Sequence, residues 1–264
     1  MAHEITTGGT RPLHLREVQE IEVGDIQHVL RRGWHDFMVR PSAILYLAII
    51  YPVIGVVASY LAWQLDVVGL IYPLAAGFAL IGPIAAVGVL ELSRRIEAGE
   101  EVSLLDAFSV VRRPAFRGIL LMALLLFTLF AAWIVVAQRI LVATLGDLAP
   151  DDFGAFIVAA VTTWEGLAMF VIGNAVGFLF AVAALCVSVI SLPMLVDGER
   201  SVTVAIATSV QAVMVNPVPM AAWGLAVAVG LALGMIPVFA GLLIVLPVLG
   251  HANWHLYRRV LPPG

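Results

Sequence analysis

Charged residues are scarce in this chain, and lysine is absent. Only 12% of its 264 residues are charged, whereas 62% are apolar. Soluble domains carry about a quarter charged residues, and a single water-soluble core could not bury this much apolar surface. The composition therefore excludes a soluble globular protein, and lipid must be the solvent for most of the apolar side chains.

Two further absences narrow the function. The net charge is only -4, and the chain has no polybasic stripe to neutralise a phosphate backbone, which argues against nucleic acid as a partner. The single cysteine, Cys186, has no second cysteine with which to form an internal disulfide. Residues 1–40 lack the apolar core of a cleaved signal peptide, so we expect the N-terminal segment to be retained.

Six apolar runs come close to the roughly 20 residues that a helix needs to cross a bilayer. They cover residues 42–63, 72–93, 118–139, 166–190, 218–235 and 237–257. The predicted fold is therefore an all-α, polytopic membrane helix bundle with six transmembrane helices. We expect a single transmembrane domain over residues 24–264, preceded by a flexible cytoplasmic segment, residues 1–23.

The arginines indicate the orientation of the spans. With six spans, 13 of the 14 basic residues fall on one side, in the N-terminal segment, two connections and the C-terminal tail. Under the positive-inside rule that side is the cytoplasm. Only Arg139 lies at the other face. We therefore predict a multi-pass protein with both termini in the cytoplasm.

An amphipathic segment precedes each odd-numbered span. From 26 to 37, apolar residues recur at helical spacing opposite polar ones, as in a helix lying in the headgroup plane. The plan recurs from Ser103 to Arg113 and from Ser201 to Asn216, each followed by a proline that suits the first turn of the next helix. This predicts a three-fold pseudo-repeat of interfacial helix plus hairpin, with units at residues 24–96, 97–197 and 198–264.

Spans two and six share a second pattern. Two prolines, a glycine and an arginine pair recur at a displacement of 164 residues: Pro73, Gly77, Pro83, Arg94 and Arg95, then Pro237, Gly241, Pro247, Arg258 and Arg259. Paired proline breaks in matching spans point to a transporter binding site. They predict a solute cavity lined by Gly77, Pro83, Gly241 and Pro247. The alternative is helix packing alone, because transmembrane prolines also serve that purpose.

His251 and His255 are the residues whose spacing most resembles a ligand pair. They lie one helical turn apart, as two metal or haem ligands would, and His35 or Glu91 could supply a third ligand. The interpretation we favour is that both imidazoles hydrogen-bond to neighbouring helices at the headgroup boundary. We therefore expect no cofactor, with a haem or a metal at this pair as the alternative.

The arginines also predict contact with anionic lipid, because they crowd the leaflet that carries negative charge. The predicted contacts are Arg31, Arg32, Arg94, Arg95, Arg112, Arg113, Arg258 and Arg259. The alternative is that these charges serve only to orient the protein.

Four stretches of the chain resemble a known family. They are Tyr72-Pro-Leu-Ala-Ala-Gly-Phe, Glu91-Leu-Ser-Arg-Arg, Ser191-Leu-Pro and Leu246-Pro-Val-Leu-Gly-His-Ala-Asn-Trp-His-Leu-Tyr-Arg. From about residue 20 onward the chain is similar to predicted bacterial integral membrane proteins known only as a domain of unknown function. The resemblance implies a proteobacterial inner-membrane protein and brings no established activity.

Members of that family are sometimes labelled cytochrome c oxidase subunit I, and the sequence argues against that activity. A haem–copper subunit needs histidines on several spans, whereas here only His251 and His255 lie in a span. We instead expect a non-catalytic accessory, assembly or scaffolding component of a membrane complex, with partners such as a respiratory complex. The alternatives are a transporter or channel for a small neutral solute and a metal- or haem-binding membrane protein.

Overall fold

The computed structural model describes residues 17–39, 56, 60, 68–146 and 152–263. Every regular element in these ranges is helical, which confirms the predicted all-α class. The first predicted span, residues 42–63, lies outside the described residues apart from Val56 and Tyr60.

The described helices follow one another with short connections. After helix α1 (Val23–Val39) and a single 3-10 turn (Val68–Leu70), the chain forms α2 (Ile71–Ala85), α3 (Val87–Glu97), a 3-10 helix (Leu104–Arg112), α4 (Phe116–Thr144), α5 (Phe153–Thr162), α6 (Trp164–Ser188), α7 (Ser191–Asp197), α8 (Val202–Val215), α9 (Pro217–Met235) and α10 (Leu242–Val260).

Three of the described helical stretches are long and apolar enough to cross a membrane. They are Phe116–Thr144, Trp164–Asp197, which joins α6 and α7, and Pro217–Met235. These stretches contain the predicted third, fourth and fifth spans. The predicted second and sixth spans correspond to α2 with α3 and to α10.

The predicted second span is interrupted, whereas the helix of the predicted sixth span is not. Pro83 lies inside α2, which ends at Ala85, and α3 begins at Val87. A proline removes one backbone donor and its ring crowds the carbonyl one turn earlier, so a break there is expected. Pro247 also lies inside a helix, but α10 continues through it to Val260. Helix α10, which corresponds to the predicted sixth span, starts at Leu242 rather than at residue 237, because the preceding residues form a turn.

The three predicted amphipathic segments are all helical, as α1, the 3-10 helix and α8. Helix α1 packs against α10 and buries Ile26, Val29, Gly33 and Phe37. Trp34 belongs to the apolar residues that recur at helical spacing between 26 and 37, but it is 49% exposed. Its position lies at the edge of the buried stripe, where the indole faces outward.

Helix α5 was not predicted, because residues 140–165 read as a connection between spans. The Asp152 side chain accepts a hydrogen bond from the Ala155 amide and caps it. Helix α5 folds tightly onto α6: a Cβ at Gly166 would lie 2.2 Å from the Ala159 carbonyl oxygen.

Buried side chains concentrate at the end of the bundle where Arg94, Arg95, Arg113 and Arg258 meet, here called the arginine end. Six consecutive residues of α7 are buried there, from Ser191 to Val196. Large apolar side chains on α4, α6 and α9 are exposed along their length, as lipid-facing helices require. Within the described ranges, the arginine end is therefore the best-packed part of the structure.

Replacing Gly33 with alanine should destabilise the contact between α1 and α10. The new Cβ would lie 2.6 Å from the Ala252 amide nitrogen and the Val248 carbonyl oxygen, which are backbone atoms. Overpacking of this kind lowers the free energy of unfolding by about 1–3 kcal/mol. Thermal unfolding in detergent, followed by circular dichroism, should show a lower midpoint.

The matched control for this variant is Gly24→Ala on the same helix. A Cβ at Gly24 meets no atom within 4 Å, and alanine favours a helix over glycine. Its midpoint should equal or slightly exceed that of the wild type. Equal midpoints for the two variants would contradict the close approach at Gly33.

Candidate functional site at the arginine end

The centre of the arginine end is a buried carboxylate, Glu91 on α3. Its side chain has no exposure to solvent. Arg94 donates to both carboxylate oxygens, through Nε at 3.1 Å and Nη2 at 3.0 Å. Arg95 donates through Nε at 3.0 Å, and Arg113 reaches the same carboxylate from beyond the 3-10 helix, with Nη2 at 2.9 Å. Three guanidinium groups thus compensate one buried charge.

Two more carboxylates complete this group, which we call the Glu91 cluster: Glu91, Arg94, Arg95, Glu100, Asp106 and Arg113. Arg95 Nη1 lies 3.2 Å from Glu100 and 3.1 Å from Asp106. Three arginines therefore face three carboxylates, and the cluster has no net charge. Buried ion pairs are stable only when each charge is compensated in this way.

A second ion-pair group lies beside the cluster and joins α3, α7 and α10. Arg258 binds both oxygens of Asp197, at 2.8 and 2.9 Å, and donates from Nε to Glu97 at 2.8 Å. The Tyr257 hydroxyl also donates to Asp197, at 2.6 Å. The guanidinium stacks over the Trp254 ring, 4.7 Å from its centroid. The two parallel hydrogen bonds between the Arg258 guanidinium and the Asp197 carboxylate give this ion pair a defined geometry.

His255 connects α10 to α1. Its Nε2 lies 2.7 Å from a carboxylate oxygen of Asp36. Burial alone would raise the pKa of the Asp36 carboxyl, but the hydrogen bond and charge of His255 outweigh burial, so this pKa lies below its ordinary value. Asp36 is therefore held as a carboxylate that accepts the imidazole proton.

His251 connects α10 to α3. Its Nδ1 lies 2.6 Å from the Ser93 hydroxyl, which itself donates to the Val89 carbonyl oxygen. The Ser93 hydroxyl therefore occupies Nδ1, which leaves Nε2 as the ring nitrogen open to a further partner. This Nε2 is buried and has no hydrogen-bond partner among the described residues. Each histidine of the predicted ligand pair thus contacts a different neighbouring helix.

No group of three or more histidine, cysteine or acidic side chains within the described ranges is arranged to hold a metal ion. The two residues considered as third ligands are placed elsewhere, since Glu91 is bound by arginines and the His35 side chain is 78% exposed. The metal or haem site at His251 and His255 stays a prediction.

The residues of the predicted solute cavity lie in helix contacts. A Cβ at Gly77 would lie 2.7 Å from the Phe130 ring, and one at Gly241 would lie 2.8 Å from the Gly234 backbone. Pro247 is buried and Pro83 is half-buried. The solute site likewise stays a prediction.

An asparagine ties the N-terminal segment to this end. Asn216 caps no helix with its side chain, but its Oδ1 accepts from the Ile21 amide at 2.7 Å and its Nδ2 donates to the Gln19 carbonyl oxygen at 3.1 Å. The Gln19 amide in turn donates to the Val260 carbonyl oxygen at 2.9 Å. Residues 17–22 therefore bridge the α8–α9 turn and the end of α10.

Sequence reasoning missed most of these partners. A local signal existed for Glu91, because it precedes Arg94 and Arg95 by three and four residues, the spacing of neighbours on a helix face. No such signal existed for Asp197, whose partner Arg258 is 61 residues away. The same holds for Asp36 and Asn216, which bond to residues more than 190 positions distant.

One family model matches part of this chain. The family is described as predicted integral membrane proteins, DUF2189, and its model matches residues 71–197. The matched region contains the Glu91 cluster and the stretches beginning at Tyr72, Glu91 and Ser191, while the stretch beginning at Leu246 lies beyond it. No curated protein and no solved structure matches the chain. The match and the long apolar helices show that this is an integral membrane protein.

Replacing Glu91 with glutamine should strongly destabilise the protein. The variant removes the one charge that Arg94, Arg95 and Arg113 share at the centre of the cluster. Removing one partner of a buried ion pair lowers stability by about 3–5 kcal/mol. Thermal unfolding in detergent should show a large fall in the midpoint. Glu101→Gln is the control, because Glu101 is exposed and forms no described ion pair; equal losses in both variants would contradict the assigned role of Glu91.

Proposed function

We propose that this integral membrane protein is non-catalytic and serves as an accessory, assembly or scaffolding component of a larger membrane complex. The observation that carries the proposal is an exposed amide, Asn174, on the otherwise apolar face of α6. The ion pairs of the arginine end support it, because they join helices to one another and so give the bundle a rigid frame.

Asn174 is unusual for its position. Between Glu165 in the first turn of α6 and Ser188 at its end, it is the one amide or charged side chain on the helix. It lies ten residues after Trp164, about 15 Å along the axis. Its side chain is exposed and lies among exposed apolar neighbours such as Phe170, Val171 and Phe178.

The bonds of Asn174 leave part of the amide available. Its Oδ1 accepts from the Tyr72 hydroxyl at 2.7 Å, and its Nδ2 donates to the Phe170 carbonyl oxygen at 2.8 Å. An amide has two N–H donors, and the described contacts use one of them. Polar groups are costly in hydrocarbon, and asparagine commonly holds membrane helices together. A helix of a partner protein would cover this face and accept the second N–H.

We further propose the complete topology. The protein has six spans arranged as three units of interfacial helix plus hairpin, and it lies in a bacterial inner membrane with both termini in the cytoplasm. The meeting of Arg94, Arg95, Arg113 and Arg258 at one end supports this arrangement, with Arg139 near the opposite end of α4. The positive-inside rule then assigns the arginine end to the cytoplasm.

Asn174→Leu should reduce the size of the native complex. Membranes solubilised in mild detergent and separated by native electrophoresis should show the wild-type protein in a species larger than its homo-oligomer. The variant should run as the free protein, because the amide donor is lost, while its thermal midpoint stays close to that of the wild type. A wild type recovered only as a monomer or small homo-oligomer would contradict the proposal.

Two controls separate a partner contact from an internal one. Tyr72→Phe removes the internal hydrogen bond and keeps the amide, so it should leave the complex intact. Thr128→Val removes an exposed hydroxyl on α4 that bonds to its own helix, at the Leu124 carbonyl oxygen, and should also leave the complex intact. Loss of the complex in Tyr72→Phe would assign the effect to the α2–α6 contact instead.

Reporter fusions should verify the topology. Alkaline phosphatase fused after Gly264 should be inactive and a fluorescent protein at the same point should be bright, since the C-terminus is cytoplasmic. Alkaline phosphatase fused after Gly146, beyond α4, should be active. An active phosphatase at Gly264 would place the C-terminus outside the cytoplasm and contradict the proposed topology.

A further inference from the structure

The structure divides the arginines at the arginine end, whether or not the sequence predicted them to contact lipid, into a paired set and an unpaired set. Arg94, Arg95, Arg113 and Arg258 are bound to carboxylates of the same chain. Arg259 is exposed but pairs with Asp25 at 3.0 Å. The exposed arginines at this end that pair with no described residue are Arg31, Arg32, Arg112, Arg117 and Arg200. Only the second set is available to an external anion.

Two of the unpaired arginines, Arg112 and Arg117, follow an exposed apolar stripe of the 3-10 helix. The 3-10 helix has three residues per turn, so residues three apart lie on one face. One face carries Leu105, Phe108 and Val111, which are exposed by 76%, 55% and 54%. A second face, with Ala107 and Val110, is buried against the bundle.

The third face of the 3-10 helix is polar. Asp106 pairs with Arg95, and the Ser109 hydroxyl accepts from Arg95 Nη2 at 3.1 Å. Arg112 continues this face at the same three-residue spacing but is exposed and pairs with no described carboxylate, and the exposed Arg117 follows in the first turn of α4. The nearby carboxylates Asp106 and Glu100 are taken up by Arg95, so the cluster does not neutralise these two arginines.

We infer that the 3-10 helix, Arg112 and Arg117 form a binding site for anionic phospholipid. The helix lies in the headgroup plane, with Leu105, Phe108 and Val111 among the acyl chains. Three adjacent large apolar side chains would be unfavourable in water. Arg112 and Arg117 donate to the phosphate and headgroup oxygens, for which a planar guanidinium has matching geometry.

The inference is tested with purified protein in nanodiscs of phosphatidylcholine and phosphatidylglycerol. Spin-labelled analogues of each lipid report the fraction immobilised by the protein. The wild type should prefer phosphatidylglycerol, and each arginine near the surface contributes a factor of roughly five. The double variant Arg112→Gln/Arg117→Gln should lose most of this preference, and sodium chloride should weaken it in the wild type.

Arg200→Gln is the matched control, since Arg200 is exposed at the same end, in the α7–α8 connection, and has no ion pair. It should change the preference less than either Arg112→Gln or Arg117→Gln alone. An equal loss in all three single variants would reduce the effect to general charge attraction and overturn the site. An unchanged preference in the double variant would overturn it too.

The depth of the apolar stripe gives an independent measurement. Phe108→Cys in a Cys186→Ser background, carrying a spin label, should be more accessible to oxygen than to a water-soluble nickel complex. The background is needed because Cys186 is the single native cysteine. A label that is more accessible to nickel would place the stripe in water and overturn the proposal, and a covering protein would then explain the stripe.

Discussion

The Glu91 carboxylate, shielded from solvent at the arginine end, constrains much of the structure around it. A buried charge is stable only where opposite charge and hydrogen bonds compensate it. Arg94 and Arg95 come from the same helix, but Arg113 comes from the far side of the 3-10 helix. The chain can bring Arg113 to Glu91 only by folding residues 98–113 back against α3. That fold also determines where α4 begins.

The described ion pairs are concentrated at the arginine end rather than along the long apolar helices, and this has a physical reason. In hydrocarbon, apolar side chains gain little by leaving lipid for another helix, so packing of small residues and polar contacts must supply specificity. Glu91, Asp197 and Asp36 provide such contacts at one end, each joining elements distant in the chain. The lipid-facing parts of α4, α6 and α9 carry exposed apolar side chains instead. The helix arrangement is thus specified mainly from the arginine end.

Much of this fold could be predicted from the sequence, because hydrophobicity and helical spacing are local properties. They predicted α4, α6 and α9 as spans, and they predicted helices at α1, the 3-10 helix and α8. Helix α5 escaped prediction because an apolar run of ten residues between carboxylates is too short to read as a span. The pairing of Asp197 with Arg258, or of Asp36 with His255, depends on tertiary contacts that no local spacing encodes. Ion pairing also could not be predicted from local sequence, so the eight arginines looked equivalent although five of them pair with carboxylates of the same chain.

The proline pattern shared by the predicted second and sixth spans shows that a repeated sequence pattern need not give the same helix geometry. Pro83 is followed by a break at Ala86, and α3 then packs on α10, where a Cβ at Gly250 would lie 2.8 Å from the Val89 side chain. Pro247 does not interrupt α10. Helix α1 packs against α10 at Gly33 and is joined to it by the hydrogen bond between Asp36 and His255. A proline leaves a backbone carbonyl without its helical partner, and neighbouring contacts decide whether the helix bends or continues. In this protein α3 presents Glu91 to the arginines and Ser93 to His251, whereas the matching proline lies in α10, which packs against both α1 and α3.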